Sequence, residues 1–335
     1  MPQIFHFTRK CIILELDHTW IVFFSQRGKI ILKYRQNIIK EMVLGAVCAI
    51  IVLLASMIAY GRWSGQGTQM LTTSAPGTVS FSGGGVTLDA SNTSQGYFSV
   101  MYSGGNSKVK LQITKSSGTT YTYDINARNA YEVFPVSEGN GSYRVAVFEN
   151  LSGNRYTQAF SKDVSVTLDN EFLPFLYPNQ YVNFSPESKV ISVAKELSAN
   201  CADEMEVVAN VYNYVTDNIT YDNDKAANVQ SGYLPVVDKV LEEKKGICFD
   251  YAALMASMLR SQAIPTKLVV GYTGQQYHAW INVYTEESGW IDGVIQFDGV
   301  QWKLMDPTFA SSGKNDPNIT SYITNSSNYQ EKFLY

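Results

Sequence analysis

The chain has 335 residues, of which 45% are hydrophobic and 17% are charged, and its formal net charge is −4. A disordered chain is richer in charge and poorer in apolar residues, so the composition excludes a largely disordered protein. The mild negative charge gives no reason to expect nucleic acid as a partner.

Charge is distributed unevenly along the chain. Residues 1–41 hold seven Lys or Arg and three Asp or Glu, a net charge of +4, and residues 42–60 hold no charge. The remaining residues, 61–335, therefore hold 19 basic and 27 acidic side chains, a net charge of −8. A basic head, an uncharged segment and an acidic body predict a membrane-anchored protein.

An apolar run lies inside the basic head, at residues 11–24 (CIILELDHTWIVFF). Glu15, Asp17 and His18 interrupt it, and it is too short to span a bilayer. We expect either a short hairpin or a segment at the membrane interface.

The uncharged segment at residues 42–60 reads MVLGAVCAIIVLLASMIAY. As a helix it would be about 28 Å long, which just spans a typical hydrocarbon core. The alternatives are a buried core helix and a cleaved signal peptide. A signal peptide would need an unusually long basic lead, so we expect an uncleaved, single-pass transmembrane helix.

Basic residues are concentrated on the N-terminal side of this segment. Four precede it closely: Lys29, Lys33, Arg35 and Lys40. Only Arg62 follows it closely. Because loops rich in Lys and Arg stay in the cytoplasm, we expect a cytoplasmic head (residues 1–41) and an extracellular body attached to the cell membrane.

The first part of the body changes from linker to strand patterns. Residues 61–77 are rich in Gly, Ser and Thr, which is typical of a flexible tether. Residues 78–172 contain short alternating runs, such as 97–102 (YFSVMY) and 108–113 (KVKLQI), separated by turn residues. This pattern predicts an antiparallel, immunoglobulin-like β-sandwich. It holds no catalytic constellation, so we expect a spacer or a binding module.

Residues 173–335 read as an α+β domain. Helices are predicted at 186–198, 202–218 and 236–245, and a fourth opens at Cys248 and ends near residue 262. Four strands are predicted at 266–272, 278–285, 290–297 and 300–305, the last two joined by a hairpin turn at Asp298-Gly299. We expect Gly246 to stop the third helix.

Three residues in this domain could form a nucleophilic site. Cys248 is expected at a helix N-terminus, where unpaired N–H groups and the helix dipole favour an anion. His278 begins one predicted strand, and Asp306 follows another. If they converge, Cys248 acts as thiolate nucleophile, His278 as base and then acid, and Asp306 orients the imidazole.

Each of these residues also has a purely structural reading. A lone cysteine that begins an apolar helix is usually a core residue, and an aspartate before proline is usually a turn residue. We expect Gly246 to let the backbone approach closely, and we treat Gly246 and Trp280 as candidates for the substrate cleft.

Four sequence blocks together carry a family resemblance. They are G-x-C-x-D-Y-A at 246–252, I-P-T-K-x-V-x-G-Y at 264–272, H-A-W-x-x-V-Y at 278–284 and W-x-x-M-D-P-T at 302–308. In this order they resemble the transglutaminase-like superfamily, whose fold is papain-like: a helix carrying the nucleophile lies against an antiparallel sheet. The resemblance implies that Cys248, His278 and Asp306 form the family's catalytic triad.

A further block, Tyr221-Asp222, matches a motif common upstream of the cysteine in that family. The resemblance makes Tyr221 a candidate for the oxyanion site or the cleft, and a packing role remains equally open. The neighbouring acidic residues, 222–224, are expected to form a solvated turn. We expect no metal and no cofactor.

Two positions beside the cysteine depart from the animal cross-linking enzymes, which have Gln before it and Trp after it. Here they are Ile247 and Phe249, and the chain is more similar to exported bacterial members, many regarded as cysteine peptidases. The resemblance therefore favours a peptidase or amidase acting on a peptide or protein, including cell-envelope material. A cross-linking transglutaminase and a non-catalytic surface-binding protein remain the alternatives.

Overall fold

The computed structural model describes three short strands before residue 25, residues 70–292, strands at 295–297 and 302–304, Thr308, and residues 328–335. The predicted membrane helix at 42–60 and the predicted triad residue Asp306 lie outside these described residues. Contacts divide the chain into two units, Met1–Gly61 and Arg62–Tyr335.

The first unit contains a small antiparallel sheet. Its strands are β1 (His6–Phe7), β2 (Cys11–Leu16) and β3 (Thr19–Phe24), paired in that order. Strands β2 and β3 pair with Leu16 opposite Thr19, which confirms the hairpin alternative for residues 11–24. In the part of the chain that the structure describes, no helix is both long and apolar enough to cross a membrane.

The second unit begins with two four-stranded antiparallel sheets. The first has the order β4 (Ser80–Gly83), β5 (Val86–Asp89), β6 (Tyr97–Tyr102) and β9 (Tyr131–Pro135). The second has the order β11 (Arg155–Val166), β10 (Gly141–Ser152), β7 (Val109–Lys115) and β8 (Thr120–Asp124).

Alternate side chains of these strands are buried in a shared core. In β7, Val109, Leu111 and Ile113 are each at most 2% exposed, whereas the residues between them are half-buried. Phe98 of the first sheet contacts Tyr143 of the second, with ring centroids 6.2 Å apart. The predicted antiparallel sandwich is therefore present. Buried and more exposed side chains alternate along β7, as the alternating sequence pattern predicted.

Residues 70–77, the end of the predicted tether, lie along this sandwich without regular secondary structure. The N–H of Gly77 donates to Asp89 Oδ2 at 2.7 Å, and Asn92 Nδ2 donates to the Ser74 carbonyl at 2.8 Å. These contacts attach the segment to the first sheet.

Five α-helices follow the sandwich within residues 173–292. They are α1 (Lys189–Ser198), α2 (Glu204–Asn218), α3 (Asn223–Asn228), α4 (Val237–Glu243) and α5 (Cys248–Ser261). Helix α5 is the centre of the domain, because nearly all of its side chains beyond the first turn are buried.

Two local predictions in this region were wrong. The acidic segment predicted as a solvated turn begins α3, because the Asp222 carboxylate accepts the Lys225 N–H at 2.9 Å. Helix α4 ends at Glu243, where Lys244 adopts a left-handed conformation with φ of 52°. Gly246 does not stop that helix.

A four-stranded antiparallel sheet packs on α5. Its order is β16 (Gly289–Ile291), β15 (Gln276–Thr285), β14 (Thr266–Thr273) and β19 (Tyr329–Leu334). Two small pairs accompany it: β12 (Thr220–Tyr221) runs parallel to β13 (Lys245–Gly246), and β17 (Ile295–Phe297) pairs antiparallel with β18 (Trp302–Leu304). The β17–β18 pairing confirms that these two strands are antiparallel neighbours, although the predicted strand at 290–297 is divided in two. The turn predicted at Asp298-Gly299 lies outside the described residues.

Aromatic contacts join the sandwich to this α+β core. Tyr121 and Tyr123 of β8 pack against Tyr335, with ring centroids 5.6 and 5.8 Å apart. Tyr335 also packs against Tyr181, which precedes the first helix, at 4.4 Å. The edge strand of the sandwich is therefore held against the core.

Arg260, at the end of α5, strengthens the same junction. Its guanidinium is buried and donates to three main-chain carbonyls: Tyr177 at 2.8 Å, Thr266 at 2.9 Å and Tyr335 at 2.6 Å. One side chain thus joins three segments: the linker between the sandwich and α1 (residues 167–188), the start of β14, and the residue that follows β19.

Candidate active site

Cys248 is the first residue of α5, as predicted, and its thiol is free and half-buried. The helix can begin there because Asp250, two residues later, turns back and accepts the N–H of Ile247 at 2.9 Å. This carboxylate satisfies one of the N–H groups that a helix start leaves unpaired. The nucleophile candidate therefore lies on a capped and fixed first turn.

The glycine two residues before Cys248 makes room for that cap. A Cβ on Gly246 would lie 2.7 Å from the Cβ of Asp250, closer than side-chain carbons approach. The spacing G-x-C-x-D thus has a steric explanation, and Gly246 accommodates Asp250. It is not part of the described cavity wall at Cys248.

Asp250 is completely buried, and its charge is compensated by neighbours from two other segments. Lys225 of α3 donates to Asp250 Oδ2 at 2.6 Å, and the Tyr233 hydroxyl donates to Oδ1 at 2.5 Å. Burial, followed by the hydrogen bond to Asp250, raises the pKa of Tyr233 above its ordinary value. Sequence reasoning gave none of these three residues a role.

Cys248 opens into a cavity of about 500 Å³. His278 and Tyr221 line the same cavity, so the structure brings three of the predicted site residues together. His278 lies on β15 and is only 3% exposed. The third proposed triad member, Asp306, is outside the described residues.

Trp280, two residues after His278 on the same face of β15, packs beside it and is not part of the described cavity wall. The two rings stack with centroids 6.1 Å apart and an interplanar angle of 22°. On the neighbouring strand β14, Gly271 lies opposite His278. A Cβ on Gly271 would lie 2.8 Å from the Trp280 ring and 2.0 Å from the Gln330 carbonyl oxygen. The motif glycine therefore permits both the Trp280 packing and the close approach of β19.

Further walls of the cavity come from distant parts of the chain. The sandwich contributes Thr122 and Asp124, and the segment between α3 and α4 contributes residues 229–234. The sequence pattern contains no signal for these contributions, because each depends on tertiary packing. Within the described residues, no group of three or more His, Cys, Asp or Glu could hold a metal ion.

Residues 191–293 match the family model of the transglutaminase-like superfamily. The chain contains a transglutaminase-like domain. This domain includes α5 with Cys248 and β15 with His278, as the sequence resemblance implied.

Two curated relatives are similar to parts of this chain. The uncharacterised protein YebA of Bacillus subtilis is 25% identical over 194 residues, covering 49% of this chain and 25% of YebA. The protein-glutamine gamma-glutamyltransferase of Pseudomonas aeruginosa is 31% identical over 70 residues, covering 17% of this chain and 10% of that protein. The chain thus spans at most a quarter of the length of either relative.

Among solved structures, a Cytophaga hutchinsonii protein described provisionally as a cysteine protease has 15% identity and a TM-score of 0.36. The alignment covers 71% of this chain and 83% of that one. Since this score is low, the domain assignment rests on the family match and on the sequence motifs.

Proposed function

We propose that the transglutaminase-like domain is a thiol enzyme that cleaves peptide or carboxamide bonds through an acyl-enzyme, as a peptidase or amidase. The observation that carries this proposal is that Cys248 and His278 line the same cavity, with Cys248 at a helix N-terminus. Members of the superfamily are typically cysteine-dependent acyltransferases or hydrolases. The proposal therefore agrees with the coarse chemistry of the family.

In the proposed mechanism the Cys248 thiolate attacks the substrate carbonyl carbon. N–H groups of the first turn of α5 stabilise the oxyanion, and protonated His278 gives its proton to the leaving amine as the C–N bond breaks. Neutral His278 then takes a proton from water, which attacks the thioester and releases a carboxylic acid and the Cys248 thiolate. Asp306 is proposed to orient the imidazole.

An amine acceptor is the second candidate. The Pseudomonas aeruginosa relative is named a protein-glutamine gamma-glutamyltransferase, although the match covers a tenth of it. A transglutaminase shares the first half-reaction and differs only in replacing water by an amine. The two reactions therefore differ only in their product: hydrolysis releases a carboxylic acid, whereas transfer to an amine releases a new amide.

The expected result is a covalent acyl adduct on Cys248. The full chain is incubated with glutamine-containing peptides and a labelled primary amine, quenched in acid and examined by mass spectrometry. We expect the thioester mass on the peptide containing Cys248 and not on that containing buried Cys201, with free acid as the main product. Labelled amide as the main product would indicate the transglutaminase. No adduct and no product would favour a non-catalytic binding protein.

We also propose that residues 42–60 anchor the protein in the cell membrane, with residues 1–41 in the cytoplasm and the enzyme outside. The uneven charge of the sequence supports this arrangement. In intact cells, added protease should digest the body and leave a tagged head, and deletion of 42–60 should release the body from membranes. A body that resists protease until the cells are lysed would contradict the proposed orientation.

A further inference from the structure

The cavity at Cys248 extends beyond the transglutaminase-like domain. Four of its lining residues belong to the β-sandwich: Lys110, Thr122, Asp124 and Asn126. Strand β8, which carries two of them, is the edge strand of its sheet. Gln180 Nε2 donates to the Asp124 carbonyl at 2.7 Å, so this edge is attached to the linker before the core.

The segment between α3 and α4 closes the space between the two domains. Gly232, at the tip of this segment, has a φ of +86°, and a Cβ there would lie 3.2 Å from Asp124 Oδ2. The segment thus reaches the sandwich, and the next residue, Tyr233, is fixed by its hydrogen bond to Asp250. A substrate bound at Cys248 would lie between these two walls.

The sandwich wall is charged, but its charges cancel. Lys110 Nζ lies 2.6 Å from Asp124 Oδ1, and the two side chains are 30% and 32% exposed. This pair leaves neither partner available to neutralise a charged substrate group. Such a group would lose hydration on entering the cavity without gaining an opposite charge, which is unfavourable.

The remaining wall of the described cavity is rich in aromatic side chains. They are Tyr181, Tyr221, Tyr233, Phe249, Tyr277 and Tyr335. Burial raises the pKa of Tyr181 to about 12, so its hydroxyl is neutral at pH 7. Aromatic rings offer a large apolar contact area with hydroxyls at the rim, which suits an uncharged partner.

We infer that the β-sandwich forms part of the substrate-binding cleft, and that the Lys110–Asp124 pair makes the cleft select an uncharged side chain beside the reacting carbonyl. Because it names the substrate class of that site, this inference rests on the proposed function. The sandwich is then a specificity element rather than a spacer.

The test measures charge selectivity at Cys248 without requiring turnover. The full chain is alkylated with the N-iodoacetyl derivatives of phenylalanine amide, lysine amide and glutamic acid α-amide, and the rate at Cys248 is followed by mass spectrometry. The wild-type protein should react fastest with the phenylalanine reagent. A cavity of 500 Å³ is about 10 Å across, comparable to the Debye length of about 10 Å at 0.1 M salt, so charges on its wall act at the thiol.

Two single substitutions should shift this selectivity in opposite directions. Lys110→Gln leaves the Asp124 charge uncompensated and should raise the rate of the lysine reagent, relative to the phenylalanine reagent, about threefold to tenfold. Asp124→Asn should do the same for the glutamate reagent. The matched control is Lys239→Gln, which removes one partner of the exposed Lys239–Glu243 pair on α4 and should change neither ratio.

The outcomes separate this inference from the proposed enzyme. Unchanged ratios of reagent rates in Lys110→Gln and Asp124→Asn, at unchanged melting temperature, would contradict the inference that the sandwich sets the charge selectivity of the cleft. That conclusion would hold even if Cys248 were highly reactive. Opposite shifts would support the wall even if Cys248 reacted like an ordinary thiol, in which case the catalytic proposal alone would fail.

Discussion

Replacing His278 with alanine is expected to slow alkylation of Cys248 by iodoacetamide near pH 6 about tenfold to a hundredfold. The thiolate is the reactive species, and an ordinary cysteine is almost entirely protonated at that pH. An imidazolium beside the sulfur would hold it as a thiolate, with part of the gain offset because stabilised thiolates are weaker nucleophiles. Loss of the imidazole removes that partner, so the expected change is large.

The structural reason to expect this coupling is that both side chains face one cavity while the rest of each residue is fixed. Cys248 lies on a first turn that Asp250 caps, and that cap does not involve the imidazole. His278→Ala loses the packing of the imidazole on the Trp280 ring but keeps the cap. The first turn that carries Cys248 should therefore stay in place while the proposed ion-pair partner is removed.

The comparison needs two controls. Cys201→Ser should leave the fast labelling unchanged, because Cys201 is buried, 2% exposed. In urea, the wild-type protein and His278→Ala should label at the same slow rate. If native Cys248 reacts no faster than it does in urea, the pair does not activate the thiol and the non-catalytic alternative gains support.

The parts of the fold that the sequence predicted are those governed by local patterns. Alternating residues indicated the sandwich strands, and the apolar run after Cys248 indicated α5. Lys244 shows where such reasoning stops. It ends α4 in a left-handed conformation that usually favours Gly or Asn, so the sequence pointed to Gly246 instead.

The residues of the candidate site likewise fall into two groups, those that local sequence patterns predicted and those that depend on tertiary packing. Motif spacing was sufficient to single out Cys248 and His278, because each lies at a recognisable point of a helix or strand. Asp124 and Tyr233 could not be found, since they reach the site only through the packing of the sandwich and of the α3–α4 segment. Gly246 was expected to let the backbone approach closely, but the group that requires its missing side chain is the Asp250 side chain.

Asp250→Ala is expected to lower the free energy of unfolding by about 3–5 kcal/mol, the range found when one partner of a buried ion pair is removed. Three donors lose their acceptor at once: the Lys225 ammonium, the Tyr233 hydroxyl and the Ile247 N–H. The lysine side chain is only 27% exposed, so water replaces the lost carboxylate incompletely. Asp250→Asn keeps an acceptor for Ile247 and should lose less.

A second capping carboxylate in the chain provides the matched control. Asp238 accepts the N–H groups of Lys189 and Val190 at 2.9 and 3.0 Å, and among the described residues no side chain forms an ion pair with it. Asp238→Ala should therefore cost only about 1 kcal/mol, the usual contribution of a cap. Urea unfolding followed by tryptophan fluorescence measures both losses. Equal losses would mean that Asp250 acts only as a cap, whereas the expected excess assigns the difference to the charge that Lys225 and Tyr233 stabilise beneath the nucleophile.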